Sequence, residues 1–273
     1  MNEASTEPQA ASFIDKWLAA EPEMAIGMAL IPAPEKPLAA LWGALLNEIA
    51  EAALTLSDTG VAQAKLAWWG GALAGASDEA AHPLLRALFA LPEVAAIPSQ
   101  EWTHLANAAI ELASLEDSPS SIEAVLSVRL PLAEAITRLE TQLWPSHRPD
   151  PNSIAIALLL RQWRAGVDGD TPRPGFVPLQ LLARHDLRMH SLHKEPQSAP
   201  VVALFADLAQ AVRAAQGGVS GARLRRIRAA FDARLLERLA HARHGKNRDA
   251  RFALPRLKTL WWAWRAASSL PYA

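Results

Sequence analysis

Apolar residues, chiefly alanine and leucine, recur along most of this chain at intervals of three and four, and the strict alternation of a half-buried strand is nearly absent. The spacing predicts an all-α protein, with helices over about 11–20, 38–56, 59–75, 80–91, 100–115, 120–143, 152–165, 199–216, 220–244 and 256–269. Prolines set the breaks, most clearly in Ile31–Pro37, Trp144–Pro151 and Thr171–Gly175, because proline lacks an N–H and restricts the residue before it. None of these breaks is long enough to separate domains. Residues 1–11 read as a flexible N-terminal tail and residues 12–273 as one domain, and no repeat of fixed period suggests a solenoid.

With 273 residues, 51% of them apolar, the chain can bury a sizeable core. It has no cysteine, which removes disulfides, thiolate metal sites and cysteine nucleophiles. The longest uncharged run, Leu66 to Ser77, is 12 residues, short of the roughly 20 that a spanning helix needs. The start, MNEASTEPQAAS, lacks a basic segment followed by an apolar one, so the expected location is cytoplasmic, with peripheral membrane contact left open.

Charge changes the picture in one segment. Residues 1–212 carry 13 basic against 25 acidic residues, whereas residues 213–258 carry 13 basic against 3 acidic. Half of that excess lies on the helix expected over 220–244, with Ser220 as a possible N-cap. Leu224, Ile227, Phe231, Leu235 and Leu239 form one apolar stripe, and Arg225, Arg226, Arg228 and Arg238 flank or oppose it. The stripe should dock on the acidic body. Arg225, Arg226 and Arg228 are then expected to form a basic surface that meets anionic lipid or an acidic protein partner. No nucleic-acid-binding module accompanies them, so nucleic acid is not an expected partner.

Other chemistry is sparse. His190 with His193, and His241 with His244, are spaced to share a helix face, but neither pair has a third ligand in view and the second lies among arginines. Phosphate-binding glycine loops and the Gly-x-Ser-x-Gly element are absent. Of ten tryptophans, Trp68-Trp69 and Trp261-Trp262-Ala-Trp264 are concentrated, and the helical spacing of Val61, Lys65, Leu66, Trp69 and Leu73 predicts that Trp68 and Trp69 are packing residues.

One segment points further. Ser57-Asp-Thr-Gly-Val-Ala-Gln-Ala-Lys-Leu-Ala-Trp-Trp69, with His82-Pro83 thirteen residues on, resembles the Ser-Asp-Pro-x-x-Ala-x-x-Lys-Leu-x-Trp-Trp-Arg…His-Pro signature of the squalene/phytoene synthase family. Phe176-Val-Pro-Leu-Gln-Leu-Leu-Ala-Arg-His-Asp-Leu187 is similar to the family's Tyr-Leu-Pro-x-x-Leu-Leu-x-x-x-x-Leu stretch, and the two segments follow the family's order. The resemblance implies an isoprenoid-synthase-like helical bundle around a central apolar cavity. In active members two Asp-x-x-x-Asp motifs on facing helices hold Mg²⁺, which binds the diphosphates of two prenyl substrates. The spacing has a physical basis, since residues i and i+4 share a face and carboxylate oxygens suit Mg²⁺.

Aligned on those segments, the first motif falls at Ala50 and Leu54 and the second at Ala165 and Gly169, so all four aspartates are missing. Gly70 replaces the arginine after Trp-Trp. Glu51 is a possible remnant, in an Asn47-Glu48-Ile49-Ala50-Glu51 run that resembles the Asn-x-Glu-type helix of the family's non-catalytic relatives, among them a respiratory complex I assembly factor. Arg164 matches the arginine before the second motif, and Asp168 stands near it. The resemblance therefore implies a pseudoenzyme with no catalytic residue, metal or cofactor. Such a protein would bind a prenyl or other lipid ligand, or a protein partner, with Glu51, Arg164 and Asp168 as residual ligand-binding residues. The alternative is an active Mg²⁺-dependent head-to-head prenyltransferase with ligands from unexpected positions.

Overall fold

A computed structural model of the chain describes residues 6–75, 82–168, 175–241 and 254–268. They are all-α, with no strand among them. In chain order the helices are α1 (Thr6–Ala20), α2 (Pro22–Met28), α3 (Lys36–Leu54), α4 (Thr59–Ala74), α5 (Pro83–Phe89), α6 (Pro92–Ala95), α7 (Ser99–Ala113), α8 (Ile122–Ser127), α9 (Leu130–Leu143), α10 (Pro151–Asp168), α11 (Leu179–Arg184), α12 (Ser191–Lys194), α13 (Ala199–Ala214), α14 (Arg223–Ala240) and α15 (Arg256–Ser268).

Local chemistry accounts for the boundaries. Asp58 caps α4 by accepting from the Val61 N–H at 2.9 Å, and Ser121 caps α8 by accepting from the Ala124 N–H at 3.2 Å. Proline in the first turn opens α2, α3, α5, α6, α9 and α13, where a missing N–H is harmless. The same property divides the expected helix over 120–143, since Pro131 starts α9 afresh after α8. The basic helix begins at Arg223 with Ala222 at its N-cap, not at Ser220. Of the expected tail, residues 6–11 form the first turns of α1, and Ala10 is buried.

Two apolar clusters make up the core. The larger gathers α1 to α5, α7 and α9 around Trp17, Trp42, Ile49, Leu66, Trp69, Trp102 and Leu139. The smaller packs Val125, Phe176, Phe205 and Leu208 around Trp163. Both draw on the same two helices. Ile154 and Leu158 of α10 face the larger cluster while Ile156, Leu159, Leu160 and Trp163 face the smaller. Along α14, Leu224, Ile227 and Phe231 enter the first and Leu235, Leu236 and Leu239 the second, so the apolar stripe read from the sequence is buried throughout.

Close helix approaches rest on small residues. A Cβ at Gly43 of α3 would overlap the Trp17 ring of α1, and one at Gly27 of α2 would lie 2.7 Å from Ile227 Cγ2 of α14. Arg129, fully buried between α8 and α9, ties three segments by donating to the Val125 carbonyl, to Gln162 of α10 and to the Gly175 carbonyl at 2.9 Å. Burial without an opposing carboxylate among the described residues lowers its pKa to about 9.

The Trp68-Trp69 pair divides between the two environments. Trp69 is 2% exposed in the core, whereas Trp68 is 53% exposed and touches Trp69 and His82 edge-on. Trp69→Ala should cost about 3–5 kcal/mol in urea unfolding, and Trp68→Ala less than about 1 kcal/mol. Equal costs would mean that Trp68 is buried in solution.

Candidate functional site: a charged central cavity

Helical periodicity builds the site. Gly43, Leu46, Asn47 and Ala50 share one face of α3, and Ile154, Ala157, Leu158 and Arg161 share one face of α10. These faces meet Leu132 and Ile136 of α9, Leu224, Arg225 and Arg228 of α14, and Trp17, Glu21 and Met24 at the junction of α1 and α2. They line a part-open cavity of about 80 Å³ that is mostly apolar, with a polar end formed by Glu21, Asn47, Arg161 and Arg228.

Glu21 is the centre of that end. It is 5% exposed and receives the Trp17 indole N–H at 2.9 Å, Arg161 Nη1 at 3.2 Å and Arg228 Nη1. Burial would raise its pKa, but Arg228 and Arg161 outweigh burial and hold the carboxyl down to about 2. Arg161 also donates to Asn47 Oδ1 at 2.9 Å and to the Asn47 carbonyl at 3.2 Å, which fixes α10 to α3. One turn along α10, Arg164 meets Glu23 of α2 at 2.5 Å. Arg228 also donates through Nε to both oxygens of Asp232, at 3.2 Å each.

Two carboxyls of this cluster respond oppositely to their surroundings. Three arginines face Glu21, Glu23 and Asp232, but burial pushes the Asp232 pKa up against the pull of Arg228 and Arg164, so its carboxyl holds its proton more readily than Glu21 does. Several donors also lack acceptors: among the described residues Arg161 Nε, Arg164 Nε and Nη2, and Asn47 Nδ2 are buried without a hydrogen-bond partner. Each such group ordinarily costs about 1–3 kcal/mol.

Two further ionic groups flank the cavity. Arg225 donates to both oxygens of buried Glu140, whose Oε1 also accepts from the Trp42 indole at 2.9 Å. On the other side of α3, Lys16 lies 2.7 Å from Glu48 and 2.6 Å from Glu51, with Lys65 3.4 Å from Glu48. Burial raises the Glu48 pKa less than the two lysines lower it.

The structure revises most of the site residues expected from sequence. Ala50 lines the cavity opposite α10, but Leu54 is buried outside the lining and Ala165 is half-buried one turn beyond Arg161. Glu51 points away from the cavity to Lys16 and Lys65, because it stands about 100° round α3 from Ala50. Arg164 is committed to Glu23, and its place beside Arg161 joins it to the cluster. Gly169 lies outside the described residues, and Asp168 ends α10 with its side chain outside that description.

The basic surface is the largest correction. Arg225 and Arg226 are buried, and the Arg228 side chain is only 11% exposed. Arg226 donates to the Gly221, Ala266 and Ala267 carbonyls at 2.9, 3.2 and 3.4 Å. The three arginines bind helices together inside the protein because their carboxylate and carbonyl partners come from the α1–α2 junction, α9 and α15, far away in sequence.

The donor set does not fit Mg²⁺. Among the described residues no group of three or more His, Asp or Glu is placed to hold a metal ion, and the cavity carboxylate of Glu21 is already surrounded by two guanidinium groups and an indole. Neither family models nor curated proteins give a match to this chain.

Glu21 and Asp232 should respond oppositely to pH. The Glu21 pKa falls from 4.5 to about 2 on folding, so its stabilisation is complete above pH 4.5 and is lost as the pH drops towards 2. Glu21→Gln should cost about 3–5 kcal/mol at neutral pH, by leaving buried arginines uncompensated, and should flatten urea stability across that acid range. Asp232, whose pKa is raised above 3.8, loses stability as it ionises, so Asp232→Asn should cost less than Glu21→Gln at neutral pH. Changing Arg225, Arg226 and Arg228 together to Gln should abolish the cooperative unfolding transition seen by circular dichroism, since several buried pairs exceed a typical margin of about 5–15 kcal/mol.

Proposed function

We propose that this chain is a non-catalytic protein on a squalene/phytoene synthase-like fold and binds a prenyl or other lipid ligand by its anionic end in the central cavity. The observation that carries the reading is the placing of Arg161, Arg228 and Asn47 at the polar end of an otherwise apolar cavity, with Arg161 Nε and Asn47 Nδ2 lacking an acceptor among the described residues. A carboxylate or phosphate oxygen would find charged donors in the Arg161 and Arg228 guanidinium groups that line this end of the cavity. The apolar side chains of Leu46, Ile49, Leu132 and Ile136 would pack against the first carbons of the ligand.

Size limits what is enclosed. The cavity, at about 80 Å³, is smaller than the engineered cavity of about 150 Å³ that takes a benzene, so only a head group and a few carbons fit without side-chain movement. The non-catalytic half of the reading is supported by the lining itself. Where prenyl transfer needs carboxylates on facing helices, α3 presents Ala50 and α10 presents Arg161.

Thermal melting with decanoate, farnesyl diphosphate and the neutral alcohol farnesol tests the proposal. The two anions should raise the melting temperature saturably and farnesol should not. Ala50→Leu, which fills the cavity at a cost of no more than about 1–3 kcal/mol, should remove the response. A response that survives Ala50→Leu, or none to either anion, would refute cavity binding. Formation of a condensed prenyl product with Mg²⁺ would establish the active alternative instead.

A further inference from the structure

Among the described residues the most exposed apolar surface lies on α15. Leu257, Leu260, Trp261 and Trp264 are 88%, 47%, 50% and 57% exposed. Their spacing of i, i+3, i+4 and i+7 places all four on one stripe. Thr259, Ala263 and Ala266, roughly opposite at about 100° per residue, are the buried contacts of the helix with the body. The helix is therefore docked by its small residues and the partly buried Trp262, and shows its other large apolar residues to solvent. Its C-terminal carbonyls are held by Arg226, so the stripe is fixed in place.

The charges carried by α15 itself have one sign. α15 contains Arg256, Lys258 and Arg265 and no acidic residue, and all three are exposed. Lys258 and Arg265 edge one side of the stripe and Arg256 the other, and the Arg265 guanidinium lies 5.7 Å from the Trp261 ring centroid. Two tryptophans and two leucines between cations match a surface of anionic head groups above acyl chains, where an indole can bury its ring and keep its N–H wet. Among the described residues no helix is long and apolar enough to cross a membrane, so the contact would be a helix lying in the interface.

We infer that α15 is a membrane-docking face that inserts Leu257, Leu260, Trp261 and Trp264 at the surface of an anionic bilayer, with Arg256, Lys258 and Arg265 against lipid phosphates. This role is separate from the cavity. It also differs from the role expected of the neighbouring α14, whose Arg225, Arg226 and Arg228 are engaged inside the protein.

Flotation of the full chain with phosphatidylcholine vesicles, with and without phosphatidylglycerol, tests the inference. The protein should float with the anionic vesicles, far less with the neutral ones, and less again as salt is raised. Trp261→Ser with Trp264→Ser should abolish flotation. Arg256, Lys258 and Arg265 changed together to Gln should weaken it on the order of a hundredfold, at roughly fivefold per charge. Both variants should keep the wild-type melting temperature, because these side chains are exposed; if either fails to fold, the wild-type contrast between the two vesicle types still decides. Equal flotation with both vesicle types, or none, overturns the inference. So does a wild-type dimer that the tryptophan changes dissolve while vesicles leave it unaffected, which would make a second copy the occupant.

Discussion

A single buried carboxylate organises this protein. Glu21 sits where α1 ends and α2 begins, and its two oxygens take an indole from α1, a guanidinium from α10 and a guanidinium from α14. Through Arg161 the same group reaches Asn47 on α3. A carboxylate so enclosed is stable only if its partners arrive in register, since burying it alone would cost several kcal/mol. Four helices are thereby fixed at one point, and the cavity is the space that their apolar side chains leave beside it.

This arrangement gives α10 and α14 two duties. Each helix contributes apolar faces to both core clusters and arginines to the seam between them. Apolar packing sets how closely the helices approach but leaves their sliding weakly defined. The directional bonds of Arg161, Arg164 and Arg228 define it. Arg129 performs a related task at the far side of α10, using carbonyl and amide oxygens in place of a carboxylate.

The all-α class and the stripe on α14 are legible in the sequence because periodic burial repeats over many turns and each repeat reinforces the last. The arginines of α14 are not, because a local pattern treats charge as outward-facing while their partners lie distant in the chain; Arg228 and Glu21 are 207 positions apart. Arg161 had a faint signal, for it continues the series Ile154, Leu158 on the buried face of α10. Glu21 had none, being one acidic residue before a proline. Glu51 was misplaced by a single step of α3, which is enough to turn a side chain from the cavity to Lys16. Trp68 and Trp69 differ for the same reason, since neighbours on a helix face different surroundings.

The contact of Gly43 with the Trp17 ring constrains how such a chain can change over generations. Any side chain at position 43 collides with the indole, so enlargement there must follow a reduction at position 17. The Trp17 indole also donates to Glu21, however, and a smaller residue at 17 would strip a donor from the buried carboxylate before position 43 gained anything. The order of acceptable substitutions is thus closed in both directions, and a glycine with no chemistry of its own becomes as hard to replace as the charge it never touches.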